Sequence, residues 1–147
     1  MAHGAAPPSN GLVIGIGNPL RGDDGVGALL AEPVGGHSVQ QLTPELAEEL
    51  AGLEAVLFVD AWLAPAGVAE PQLTPISPTP AGAPQTHRLE PAQLLAISQV
   101  LYGRAPRAHL LQVPARAFAH GRVLSAELQA ALPAARALLR GWLERHA

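Results

Sequence analysis

Leu12-Val13-Ile14-Gly15-Ile16-Gly17-Asn18-Pro19-Leu20-Arg21-Gly22-Asp23-Asp24-Gly25-Val26-Gly27 decides how the chain is read. Leu12 to Ile16 is a continuous apolar run, as in a strand covered on both faces. Gly17-Asn18-Pro19 breaks the run. Asp24 to Pro33 then reads as a helix, with Val26, Leu29 and Leu30 on one face and a stop at Pro33-Val34-Gly35-Gly36. The stretch therefore sets two adjacent acids, Asp23 and Asp24, at the carboxyl end of a buried strand.

Downstream, His37 to Leu42 is a second strand. Thr43 and Pro44 carry the N-cap and first-position signature of a helix whose face is Leu46, Leu50 and Leu53. Ala55 to Val59 is the clearest strand, and it ends in Asp60. Strand, helix, strand, helix, strand predicts a parallel sheet with helices on both faces. Val68 to Ile76 is a fourth strand, placed at an edge by Pro65, Pro71 and Pro75. Ser77 to Gln85 is a Pro/Gly/Ala loop. Glu90-Pro91 opens a helix with Leu94, Ile97 and Leu101 in phase. His109 to Val113 is a fifth strand. Ser125 caps a last helix with the stripe Leu128, Leu132, Ala135, Leu139 and Trp142, kinked at Pro133. Residues 1–10 read as a disordered tail, and residues 11–147 as one domain. The expected fold is a three-layer α/β/α sandwich around a twisted, mostly parallel sheet of about five strands.

Composition narrows the function. The chain has 147 residues, 48% hydrophobic but only 3% aromatic, so its core must be Leu, Val and Ala. It has no cysteine, which removes disulfides, thiolate metal sites and a Cys nucleophile and fits a reducing cytoplasm. The first residues lack the basic and apolar regions of a signal peptide. No apolar run approaches the ~20 residues of a membrane span. A net charge of −3 without a basic cluster argues against nucleic acid. All nine basic residues are Arg, which excludes lysine chemistry. Nine acids are Glu in helix-like stretches, whereas the three Asp, at 23, 24 and 60, sit where strands end.

Two nucleotide motifs are mimicked and fail. The dinucleotide fingerprint needs a third glycine where Leu20 stands, and an acid where Gln40-Gln41 stands. The phosphate loop needs Lys-Ser/Thr after Gly22, where Asp23-Asp24 would repel a phosphate. One acid could simply cap the helix, a role worth roughly 0.5–2 kcal/mol. Capping needs only one acid, and two adjacent carboxylates call for a cation. Strands ending near Ile16 and Val59 put Asp24 and Asp60 at one sheet edge, where open α/β sheets bind ligands. Among six histidines, His87 ends a long loop just before a helix and can swing over that edge. Two carboxylates and an imidazole suit nickel or zinc and leave positions open for an outside ligand.

Gly15 to Gly27 resembles the hydrogenase maturation endopeptidases, which process the large subunit of nickel–iron hydrogenases. The likeness continues through Gln41-Leu42-Thr43-Pro44-Glu45-Leu46-Ala47, similar to the branch serving cytoplasmic bidirectional hydrogenases. It returns in Phe58-Val59-Asp60-Ala61 and in Thr86-His87 followed by Leu89 and Pro91. The resemblance implies removal of a C-terminal extension from the precursor large subunit after nickel insertion. It implies that the nickel is supplied by the precursor, with Asp24, Asp60 and His87 contacting it and no nucleotide involved. Asn18, Gly22 and Gly25 are the candidate substrate contacts. The first acid is Glu in some members. Other branches also end the second strand in an Asp, where this chain has Gln40-Gln41.

Either a metal-bound water attacks, or Asp23 or Asp24 acts as the catalytic base. The five serines have no His/Asp partner at a recognisable spacing, which argues against a serine triad. Two other readings use the same residues: a non-catalytic nickel-checkpoint chaperone gripping the large subunit, and a metal-dependent hydrolase with its own ion. Partner specificity is expected in the loops Pro65 to Gln85 and Ala115 to Val123. No membrane or nucleic-acid partner is expected, and the absence of a surplus apolar stripe predicts a monomer.

Overall fold

The run Leu12–Ile16 becomes β1 (Gly11–Ile16) in the computed structural model, which describes residues 11–80 and 88–146. The tail expected over 1–10, part of the 77–85 loop and His87 lie outside the described residues. After β1 come α1 (Val26–Ala31), β2 (His37–Val39), α2 (Leu46–Ala51), β3 (Ala55–Trp62), β4 (Gln72–Ile76), α3 (Pro91–Tyr102), β5 (Arg107–Pro114) and α4 (Ala126–His146). The sheet order is β2-β1-β3-β5-β4, with β4 antiparallel to β5 and the other pairs parallel. The five-stranded, mostly parallel sheet is thus as the sequence predicts. The proline-bearing β4 is an edge strand, where a missing N–H costs no ladder bond.

Alternation along the strands divides the core in two. Val13, Leu57, Val59, Leu111 and Val113 pack against α1 and α4, including the whole predicted stripe from Leu128 to Trp142. Ile14, Ile16, Val56, Phe58 and Ala108 pack on the opposite face against α2 and α3. Period-2 side chains buried on both faces explain the unbroken apolar runs of β1 and β3. Order reverses between β1 and β3, because the chain goes outward from β1 to β2 on one side and through β3 to β5 on the other. The gap at the carboxyl ends of these two strands is the place where such sheets bind ligands.

Several element limits differ from expectation. The helix read over Asp24–Pro33 is α1 flanked by 3-10 turns at Gly22–Gly25 and Glu32–Val34, and Leu29 faces outward. β2 stops at Val39, and β4 starts only at Gln72. Thr43 does not cap α2: its carbonyl accepts the Leu46 N–H in a turn, and the helix begins after Glu45. Leu101 on α3 is 64% exposed, and the buried phase is instead Leu94, Leu95 and Ser98. Ser98 Oγ donates to the Arg104 carbonyl, which explains a hydroxyl in that stripe. α4 runs unbroken through Pro133.

Candidate functional site

The turn after β1 is built by its smallest residues. Gly17 has a φ of 131°, and a side chain there would overlap the Asp24 carbonyl. A Cβ on Gly27 would come 2.6 Å from the Ile16 carbonyl oxygen, so α1 lies directly on β1. The Gly-x-Gly that imitates a dinucleotide motif therefore serves backbone packing. Asn18 Oδ1 accepts the Leu20 N–H at 2.9 Å, and the Asn18 N–H donates to Asp24 Oδ2 at 2.8 Å. That bond fixes the half-buried Asp24 carboxylate against the turn.

Asp23 turns the other way. It is fully buried and accepts four hydrogen bonds. Two come from the N–H groups of Arg116 and Ala117, at 2.7 and 3.0 Å; the other two come from Ser125, its N–H at 2.7 Å and its Oγ at 2.6 Å. Burial pushes the carboxyl up, but these bonds, Arg116 N–H foremost, outweigh it and hold Asp23 below its ordinary value. Ser125 Oγ also accepts the Leu128 N–H at 3.1 Å, so the predicted cap of α4 is real. Asp23 does not cap its own helix, as the one-acid reading of this stretch would have it; it anchors the 116–125 segment nearly a hundred residues away. No spacing rule in the sequence signals that partnership.

Asp60 lies inside β3, two residues before its end, paired with Gln112 of β5. β1 pairs with β3 only as far as Gly15 and Val59, so Asp60 stands just past the end of that pairing, level with Ile16, the last residue of β1, and near the Asp24 charge. Its side chain is 24% exposed. Its carboxyl is pushed up to about 7, first by burial and further by the neighbouring Asp24 and Glu90 charges, against the pull of Arg88 and the Ala61 N–H. Arg88 Nη2 lies 3.9 Å from Asp60 Oδ2. The Asp24 charge therefore reaches Asp60 across the turn. Among the described residues, no group of three His, Asp or Glu side chains is placed to hold a metal ion. The third candidate, His87, lies outside them.

Other histidines are engaged elsewhere. His37 Nε2 lies 3.0 Å from Glu49 Oε2 on the surface. His109 Nδ1 accepts the Trp142 indole N–H at 3.2 Å. Asn18, Gly22 and Gly25 line a cleft of about 580 Å³ beside the turn.

No protein-family model and no curated protein matches the chain. Solved structures do. The hydrogenase maturating endopeptidase HybD from E. coli superposes with a TM-score of 0.71 at 16% identity, over 92% of this chain and 93% of that one. A hydrogenase 2 maturation peptidase from a Thaumarchaeota archaeon gives 0.65 at 21% identity, over 92% and 98%. The [NiFe] hydrogenase maturation protease HycI from Thermococcus kodakarensis gives 0.64 at 22% identity, over 92% and 91%. The chain shares the fold of these maturation endopeptidases over nearly its whole length.

Proposed function

We propose that the chain is an endopeptidase that removes the C-terminal extension of a nickel–iron hydrogenase large-subunit precursor after nickel insertion. One observation supports this reading: in the fold of the maturation endopeptidases, Asp24 and Asp60 lie at the switch point between β1 and β3, close enough for the Asp24 charge to act on Asp60. The precursor's nickel is the recognition element. Asp24, Asp60 and His87 dock onto it, and Arg88, the residue after His87, already stands at Asp60. A divalent cation favours the charged form of a carboxylate, so docking offsets the burial, and the lesser repulsion from Asp24, that push Asp60 up. Binding energy from the metal then positions the scissile bond, which makes cleavage conditional on metal loading.

The two adjacent acids divide the work. All four bonds to Asp23 hold the loop wall, so Asp23 positions and does not transfer protons. Asp24 is the candidate base, because its bond to Asn18 occupies Oδ2 and leaves Oδ1 for a substrate or water. The protein works as a monomer, as the lack of a surplus apolar stripe in its sequence suggests, and the lack of cysteine fits a reducing cytoplasm; among the described residues no helix is long and apolar enough to cross a membrane.

The test uses mass spectrometry of a nickel-loaded precursor. Asp24→Asn, Asp60→Asn and His87→Ala should each lower processing by about 100-fold or more, the scale of a misplaced reacting group, with an unchanged circular dichroism spectrum. Nickel-free precursor should not be cut. Unaltered precursor mass with retained binding would favour a chaperone. Full activity in all three variants would remove the site assignment.

A further inference from the structure

The cleft beside Asp24 has a construction of its own. Leu20, Leu29 and Leu124 contribute its apolar lining, and Glu32, Gln40 and Arg122 its polar lining. Its volume of about 580 Å³ lies within the roughly 300–1,000 Å³ of ligand pockets. Leu20, a large apolar residue in this turn, is 51% exposed. The segment bearing Arg122 and Leu124 is tied at both ends. Gly121 exchanges two backbone hydrogen bonds with the turn: the Gly22 N–H donates to its carbonyl at 2.8 Å, and its own N–H donates to the Leu20 carbonyl at 2.7 Å. On the other side, Ser125 is held by Asp23. The buried Asp23 thus fixes the wall of the cleft, which is formed before any ligand arrives.

We infer that this cleft is the docking site for the stretch of precursor polypeptide bordering the scissile bond, held in extended form with one bulky apolar side chain among Leu20, Leu29 and Leu124. The inference rests on the proposed function. Three features choose this occupant. The cleft is lined by Asn18, whose N–H holds Asp24, and by Gly25, the residue after it, so a chain lying in it runs beside the Asp24 turn. One acid and one base among its lining residues leave no net charge to draw a phosphate or a nucleotide. Mixed polar and apolar lining suits a peptide, whose main chain offers donors and acceptors and whose side chain fills the apolar part. Leu29 and Arg122 thereby become specificity residues.

The experiment places a photo-crosslinking amino acid at Leu29, and a control at the outlying Val100, and adds nickel-loaded large-subunit precursor from the same organism. Leu29 should crosslink to the precursor's C-terminal segment, and Val100 should not. In kinetics, Leu29→Asp and Arg122→Glu should raise KM about 10-fold or more with kcat within about twofold, because they remove binding shared by ground and transition states. Val100→Asp should leave both constants unchanged. Crosslinking at Leu29 without any change in precursor mass would uphold the cleft and overturn the peptidase reading. Cutting with no crosslink at Leu29, or with unchanged KM in both cleft variants, would overturn the cleft and leave the peptidase standing. Neither binding nor cutting would overturn both.

Discussion

Asp23 and Asp24 are neighbours in sequence with opposite fates, which stability measurements can separate. Asp23→Ala strands four donors in a buried place and should cost roughly 3 kcal/mol or more in urea unfolding, whereas Asp24→Ala, losing one exchangeable bond, should cost about 1 kcal/mol. The pH dependence follows from the sign of the shift. The folded Asp23 carboxyl lies below its ordinary value, so the unfolded chain binds the proton more readily. Its stabilisation is complete above the unfolded value of about 3.9 and is lost as pH falls through the folded value. The acid limb of the unfolding curve should flatten in Asp23→Ala. His109 shows the opposite chemistry with the same slope. Burial first, then the charges of His146, Arg145 and Arg107, lower its value. The neutral ring accepts the Trp142 indole N–H, and protonation at Nδ1 breaks that bond. Its contribution is complete above about pH 6.5 and falls as pH drops below that. The urea midpoint should decline between pH 7.5 and 5.5, and less so in His109→Asn.

At the scale of elements, the sheet and α1 meet through glycine. Gly27→Ala would push a methyl into the Ile16 backbone and should destabilise by roughly 1–3 kcal/mol or more, read as a lowered melting temperature. Ser125→Ala removes both the cap of α4 and a donor to Asp23, and should cost about 1–2 kcal/mol. Periodicity located α4 well because its stripe faces one continuous core. It misjudged Leu29 and Leu101, apolar residues at helical spacing that stay on the surface. Nothing in a single helix tells which of two apolar arcs the sheet will cover; the packing partner decides.

Among the described residues, the carboxyl ends of β1 and β3, the 116–125 segment and Arg88 converge at one edge of the sheet. α1 and α4 close one face of the sheet, and α2 and α3 close the other. Under the proposed function, the precursor docks at that edge. Mutations at the far end should leave metal-dependent processing intact, as Val100→Asp tests.

By itself, the sequence determined the succession of elements, from apolar runs of strand length and the breakers between them, and it marked the acids that follow those runs, although β3 continues two residues past Asp60. Those are local properties, carried by period, turn chemistry and the scarcity of Asp. It also singled out Asp24 and Asp60, because the switch-point rule converts strand ends into a shared place. Only the tertiary structure decided what surrounds them. The Asp23 network joins residues 23, 116, 117 and 125, the raised Asp60 depends on burial and the nearby Asp24 charge, against the pull of Arg88, and the cleft wall comes from a distant segment. Hydrogen bonds and desolvation of this kind depend on distances across the fold, and sequence spacing carries no record of them.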